Sequence, residues 1–372
     1  MTRPQLTQIL GRQYLLPTWY PAPLLTGLAL LDQGRRLVSA SAPPRDIPDL
    51  AHATIVIAKP DHFGDLIQAT ALFHALRVRL PDARLVLVHG SWARDVAAWL
   101  VRHDYVHELV TYDAAWLQPV DTSWPTRLRV EHDTRAAAAT AIRALHPAVY
   151  LDIRCTSPST LSLAIESAVP VRIGFGLRGR SWQYHALIPY LADKSLGQNW
   201  LHTLDVLGLP PAAYTGPVLP SVSALAADAP IIVQPGSRTE SKEAPAALWS
   251  ALLPLLAERA PILLVGNARD RERFEWMRAL VPPDRLQDAM GITSFSDLVS
   301  LTGRARAAVG VESMVAHLAI GYRRPTVVLN NPEASGIVAF PDGLPSLTFV
   351  DMTNDPHHAA ALTIAHLDRC LA

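Results

Sequence analysis

Two cysteines, Cys155 and Cys370, are all that the 372 residues contain. They stand far apart, without metal-ligand spacing. That argues against a disulfide scaffold and a cysteine–zinc site, and fits a reducing compartment. Neither sign of charge is in excess: 33 Lys and Arg balance 33 Asp and Glu. A chain so balanced has no broad basic footprint for nucleic acid and no strong pull toward an anionic lipid surface. No apolar run reaches the ~18 residues of a membrane span. No continuous apolar core of the signal-peptide kind follows Met1 to Gln5. The expected setting is the cytoplasm, with peripheral contact at the inner membrane left open. No G-x-x-x-x-G-K-[ST] loop is present, which argues against a P-loop nucleotidase, and a dinucleotide dehydrogenase is not expected either.

The chain does have many short apolar, β-branched segments that break into polar turns. Its length favours two domains, and with 49% hydrophobic residues each can bury a core. Residues 54–58 (TIVIA) read as a buried parallel strand. Lys59-Pro60-Asp61-His62-Phe63-Gly64-Asp65 then turns into a helix over 66–80, and 84–89 is the next strand. Strand, helix and strand on this scale form a βαβ unit. An alanine-rich helix over 136–145, a strand over 148–154 and a β-like segment over 171–176 follow. A basic loop with Arg178 and Arg180 comes after them; it suits either a solvated loop or an anionic acceptor.

A second series opens at 231–234, with polar turns at 237–242 and 267–270. Its most informative stretch is Val309-Gly310-Val311-Glu312-Ser313-Met314-Val315-Ala316-His317. A small apolar strand over 305–309 runs into a helix over 315–321. The helix start is a natural anion site, because free N–H groups and the dipole point the same way. Ser313 suits the cap. Glu312 would repel a phosphate there and fits better as acceptor for a sugar hydroxyl. His317 lies one turn beyond Ser313, so both can face one cleft. A capped core helix with a satisfied histidine is the plain alternative.

Taken together, four stretches resemble glycosyltransferase family 9, the ADP-heptose:lipopolysaccharide heptosyltransferases. They are residues 57–65; Arg172-Ile173-Gly174-Phe175; Gln234-Pro235-Gly236-Ser237 with Lys242 and Pro245; and 309–313 with His317-Leu318-Ala319. The resemblance spans 53 to about 332 and leaves out the first fifty residues. It implies an α/β fold of GT-B type, two Rossmann-like domains with parallel sheets facing a cleft. The expected divisions are an extension (1–50), an acceptor-binding domain (51–212), a linker (213–230) and a nucleotide-sugar-binding domain (231–372). The last helix is free to pack back on the first domain.

The resemblance also implies an activity: inverting, metal-independent transfer of a heptose or related sugar, with ADP-heptose the expected donor. No cofactor is expected, and the sequence has no D-x-D metal motif. The acceptor is a hydroxyl of a lipopolysaccharide core, another glycan, a lipid-linked sugar or a small molecule. By the same resemblance Asp65 is the base. Ser237, Thr239, Lys242, Gly266, Asp270, Glu312, Ser313, Met314 and His317 serve the donor. Position, rather than resemblance, suggests Lys59, Asp61, His62, Arg154 and Arg178 for the acceptor. The chemistry suits these types: a hydroxyl needs a base as it attacks, and a leaving diphosphate needs donors already in place.

Three departures stand out. Glu312 replaces the usual aspartate, Met314 a glycine, and Ala244 a tryptophan. They leave a second reading open, a non-catalytic GT-B protein that binds sugar nucleotides or scaffolds a partner. Monomer and dimer both remain open.

Overall fold

The computed structural model describes residues 4–9, 12–17, 30–31, 46–118, 122–155, 159–177, 180–222, 225–226, 228–332, 340–341 and 343–372. At the start, strand β1 (Pro4–Ile9) pairs antiparallel with β2 (Arg12–Pro17), Pro4 opposite Pro17 and Ile9 opposite Arg12. Nearly all of 18–45, most of the expected extension (1–50), lies outside the described residues. The chain divides into two units, Met1–Tyr214 and Thr215–Ala372.

In the first unit, β3 (Thr54–Ala58) feeds helix α1 (Phe63–Arg79), which leads to β4 (Arg84–His89). Helix α2 (Arg94–Arg102), β5 (Glu108–Thr111), α3 (Trp124–Ala144), β6 (Val149–Asp152), α4 (Ser159–Glu166), β7 (Val171–Gly174), the short β8 (Ala186–Leu187) and α5 (Leu196–Val206) follow. The strands form one parallel sheet in the order β5-β4-β3-β6-β7-β8. Strand β3 is buried from Ile55 to Ala58, as strands covered on both faces must be.

The second unit repeats the plan. Strand β9 (Ile231–Gln234), α6 (Ala246–Arg259), β10 (Ile262–Leu264), α7 (Ala268–Arg273), β11 (Leu286–Asp288), α8 (Phe295–Gly303), β12 (Ala307–Val311), α9 (Met314–Gly321), β13 (Thr326–Asn330), β14 (Leu347–Asp351) and α10 (Pro356–Leu371) succeed one another. The parallel order is β11-β10-β9-β12-β13-β14. One core joins Trp249 and the leucines of α6 to the sheet and to Ala359, Ile364 and Leu367 of α10. The last helix therefore packs on its own unit, against α6, β13 and β14. The proline-rich stretch after Tyr214 also leans on this unit. Leu219 crowds Gly321, and Val222 crowds Gly303.

Both sheets have the same point of reversal. In each, the chain runs outward from a central strand (β3, β9) and then returns to that strand's other side (β6, β12). Such a switch point opens a crevice beyond the carboxyl ends of the two central strands, where α/β sheets bind ligands. Gly174-Phe175-Gly176-Leu177-Arg178-Gly179 has G-x-G-x-x-G spacing. The described chain resumes from it in a single 3₁₀ turn, Ser181–Gln183, and then β8. Among the described residues no α-helix opens there, and a pyrophosphate cradle of this spacing depends on such a helix start.

Candidate functional site

At the first switch point, β3 ends at Ala58 and β6 at Asp152, side by side. Lys59, Asp61 and Arg154, all expected to meet the acceptor, are there, but below the surface. They are 3%, 6% and 7% exposed. Buried charges of this kind must pair, and these do. Lys59 Nζ lies 2.6 Å from Asp61 Oδ2, and Arg154 Nη1 lies 3.0 Å from Asp61 Oδ1. Lys59 Nζ also sits 4.3 Å from the ring centre of Trp200 on α5. Burial would raise the Asp61 carboxyl, but Arg154 and Lys59 outweigh it and hold the group down at about 2.

Asp65 stands in the first turn of α1, where helix geometry turns it back over the β3 end. Its Oδ1 is 4.0 Å from Lys59 Nζ, and 29% of its side chain is open to solvent. Burial raises its carboxyl above the ordinary aspartate value. Lys59 opposes this, Asp61 adds to it, and Arg154 and the His62 backbone hydrogen bond oppose it. A partly open carboxylate with a raised pKa suits proton abstraction. His62 holds the N-cap position of α1 and lies 6.2 Å, ring centre to ring centre, from Trp92, whose indole N–H donates to the Asp61 carbonyl at 3.0 Å. Arg178 lies outside the described residues.

Trp200, Trp92 and Asp152 escaped the sequence reading as site residues. Asp152 is wholly buried and accepts from Thr160 Oγ1 at 2.8 and 2.9 Å and from Tyr184 OH at 2.6 Å. Burial raises its carboxyl to about 6. A charged residue closing an apolar strand was the signal for Asp152. A tryptophan just past the Gly90 turn was the signal for Trp92. Nothing local marks Trp200.

At the second switch point, β9 ends at Gln234 beside β12. Lys242 Nζ meets Glu312 Oε2 at 3.0 Å, with both side chains partly open. Ser313 takes the N-cap position of α9, as expected, but makes no side-chain cap. Its hydroxyl donates to Gln234 Oε1 on the neighbouring strand at 2.6 Å. The same Oε1 accepts from the Val315 amide at 3.4 Å. Gln234 is thus a site residue, although the sequence marked it only as part of the stretch Gln234-Pro235-Gly236-Ser237. A polar end on an apolar strand was its signal. Met314, the first residue of α9, is half-buried.

The loop after Gly236 is clamped from within. Glu243 pairs with Arg273, Nη1 to Oε1 at 2.8 Å, and accepts the Ser237 amide at 3.1 Å. Thr239 is exposed, and its amide reaches Ser237 Oγ at 3.3 Å. Asp270 is 3% exposed. It closes a capping box with Asn267, its Oδ2 accepting the Asn267 amide at 2.9 Å. Burial raises its carboxyl. Gly236 and Gly266 both crowd it. A Cβ at Gly236 would stand 2.4 Å from Asp270 Oδ1, so only glycine fits. His317 is 5% exposed and stacks on Phe340, ring centres 4.4 Å apart. Burial, helped by the Lys242 charge, lowers it to about 3, so it is neutral at ordinary pH. As a neutral ring it has one N–H to donate.

Lys242, Glu312, Ser313 and Gln234 therefore come together directly. Ser237 and Thr239 stand on the clamped loop, Gly266 and Asp270 support that loop, and His317 lies beneath the surface. Among the described residues, no three His, Cys, Asp or Glu side chains gather as a metal set would require, and no helix is long and apolar enough to cross a membrane.

Residues 213–336 match the family model "Glycosyltransferase family 9 (heptosyltransferase)". No curated protein matches the chain. Among solved structures, a glycosyl transferase family 9 protein from Veillonella parvula is similar over 82% of this chain and 88% of its own, at 15% identity and TM-score 0.67. The E. coli ADP-heptose lps heptosyltransferase II is similar over 86% of this chain and 98% of its own, at 17% identity and TM-score 0.65. The E. coli heptosyltransferase WaaC with ADP is similar over 84% of this chain and 99% of its own, at 16% identity and TM-score 0.65. At such identities the likeness is one of fold, two Rossmann-like units of GT-B type. The family resemblance read from the sequence is borne out, and with it the enzyme class, a glycosyltransferase.

Proposed function

We propose that this family 9 glycosyltransferase moves a heptose or a closely related sugar from ADP-heptose to an acceptor hydroxyl, with inversion and without a metal. One observation carries the reading. At the second switch point a lysine, a carboxylate and a helix start stand together, with Lys242 Nζ 3.0 Å from Glu312 Oε2 beside the first turn of α9. That group suits a nucleoside diphosphate bearing a sugar. The cation and the helix N-terminus meet phosphate charge, and the carboxylate accepts from a sugar hydroxyl. The similar E. coli proteins, an ADP-heptose lps heptosyltransferase and a heptosyltransferase with ADP, support the choice of donor.

In the step, the acceptor oxygen attacks the anomeric carbon while its proton passes to an Asp65 carboxylate oxygen. The bond from that carbon to the phosphate oxygen breaks, and ADP leaves with the electron pair. A single displacement inverts the anomeric centre. Lys242 and the α9 amides stabilise the charge gathering on the departing diphosphate, as fixed donors do without reorganising. His317, neutral and buried, orients rather than neutralises. The acceptor class we infer is a glycan, lipid-linked sugar or small molecule, met in the cytoplasm.

The test is direct. Purified protein is offered ADP-, GDP- and UDP-sugars, and binding is measured by native mass spectrometry. ADP-heptose is then incubated with acceptors in excess chelator, and products are read by mass. Preference for a GDP- or UDP-sugar, or loss of turnover in chelator, overturns the corresponding part. A second reading, binding without turnover, draws on Met314, whose side chain occupies a helix start where a diphosphate would approach the backbone. Asp65→Ala separates the two, since only an enzyme loses turnover while keeping its donor.

A further inference from the structure

Two carboxylates compete for one ammonium beyond β3. Lys59 Nζ stands 2.6 Å from Asp61 Oδ2 but 4.0 Å from Asp65 Oδ1. Asp61 wins because it is better held. Its other oxygen is fixed by Arg154 Nη1 at 3.0 Å, its backbone carbonyl by Trp92 Nε1, and the ammonium itself by the face of Trp200. Asp61 is nearly enclosed, while Asp65 keeps 29% of its side chain open. A lysine side chain has length and rotamers enough to cover the remaining distance to Asp65. If it did, the ion pair would occupy the carboxylate that the reaction needs.

We propose that Asp61 is a positioning residue: it holds the Lys59 ammonium close to itself and at the longer distance from Asp65, and so leaves the Asp65 carboxylate available to the acceptor hydroxyl. The role of Asp65 as base rests on the function proposed above; the division of Lys59 between the two carboxylates does not. The groups that face Asp65 are Lys59, Asp61 and His62 from the β3–α1 turn, and Arg154 with Cys155 from the turn after β6. Of these, only Lys59 and Arg154 carry fixed positive charge, and Asp61 engages both.

The test reads Asp65 itself rather than turnover. The protein is labelled with carboxyl-¹³C aspartate, the Asp65 signal is identified by its loss in Asp65→Asn, and its titration is followed by NMR. In Asp61→Asn the ammonium closes on Asp65, and the Asp65 midpoint falls by about one pH unit or more, as a newly adjacent opposite charge requires. In Lys59→Met the midpoint rises. The double variant separates positioning from the mere loss of a neighbouring negative charge. Without Lys59, the fall caused by Asp61→Asn shrinks to less than half.

An equal fall in both backgrounds would overturn the proposal, because Asp61 would then act by its charge alone. If Asp61→Asn does not fold, Asp61→Ser takes its place in the same comparison, with and without Lys59→Met, and the same two outcomes decide. Where the acid limb of kcat/KM shifts together with the NMR midpoint, both readings stand. Where the midpoint moves and no variant shows turnover dependent on Asp65, the positioning holds and the transferase chemistry fails.

Discussion

The two switch points are built alike and furnished differently. Each lies where the chain reverses beside a central strand, and each joins a lysine to a carboxylate. At the first, the pair is sunk under the surface, with Lys59 and Asp61 side chains 4% and 9% exposed. At the second, Lys242 and Glu312 remain 28% and 18% exposed. A proton acceptor benefits from an enclosed setting, where neighbouring charge and burial set its affinity for protons. A diphosphate cradle benefits from an open one, because its cation must stay reachable. Burial therefore separates the two lysine–carboxylate pairs where residue type does not, while Asp65 itself stays as open as Lys242.

The sharpest break in this comparison would come from Asp65→Asn. We expect kcat to fall by about 10²–10⁴-fold with donor affinity unchanged, the range for losing a general base. Isothermal titration with ADP-heptose beside a coupled rate assay reads both numbers. Equal loss of binding would merge the two sites. In the wild type, kcat/KM should rise with pH as Asp65 loses its proton. The midpoint should lie above that of an ordinary aspartate, because burial raises it.

Lys242→Met should cost about 10²–10³-fold in kcat, comparable to removing one fixed donor from a charge-stabilising site. Its donor dissociation constant should also rise, and more strongly at low salt. A loss confined to acceptor KM would place this lysine on the wrong side of the chemistry.

The next effect is on stability and belongs to the first site alone. Burial, the main cause, pushes the Asp152 carboxyl of the folded protein up to about 6 from the ordinary aspartate value of 3.8. A carboxyl that holds its proton more tightly when folded contributes stability below about 3.8 and loses it as pH rises through about 6. The difference amounts to about 3 kcal/mol, at ~1.36 kcal/mol for each pH unit. Denaturant midpoints at pH 4 and pH 7 should therefore differ less in Asp152→Asn than in the wild type. Parallel pH dependence in the two proteins would remove Asp152 from the account. Smallest is Met314→Gly, which should tighten ADP-heptose binding a few-fold by letting phosphate approach the helix backbone. Weaker binding would show that the methionine contributes contact.

Much of the fold was legible along the chain. Strands β3 over Thr54–Ala58 and β4 over Arg84–His89 fall where apolar runs and turns put them. Other edges moved. The strand expected over 305–309 is β12, Ala307–Val311, so Gly310 lies inside the sheet, its missing Cβ making room for the Gln234 backbone. Helix α3 begins at Trp124, well before the alanine-rich part that betrayed it, because its first turns are polar and carry little periodic signal. The charged turns were visible as candidates, since polar residues at the ends of buried strands have few structural excuses.

By itself the sequence determined the alternation of strand and helix, the two-unit plan and the residue types at the crests. These follow from local periodicity and turn chemistry, which neighbours in the chain settle among themselves. Only the tertiary structure decided that Asp61 faces Arg154, that Gln234 takes the Ser313 hydroxyl, and that His317 is shut away against Phe340. Those pairings depend on which strands lie side by side and on what the finished core buries. Both arise from contacts between segments distant in sequence, and no local pattern encodes them.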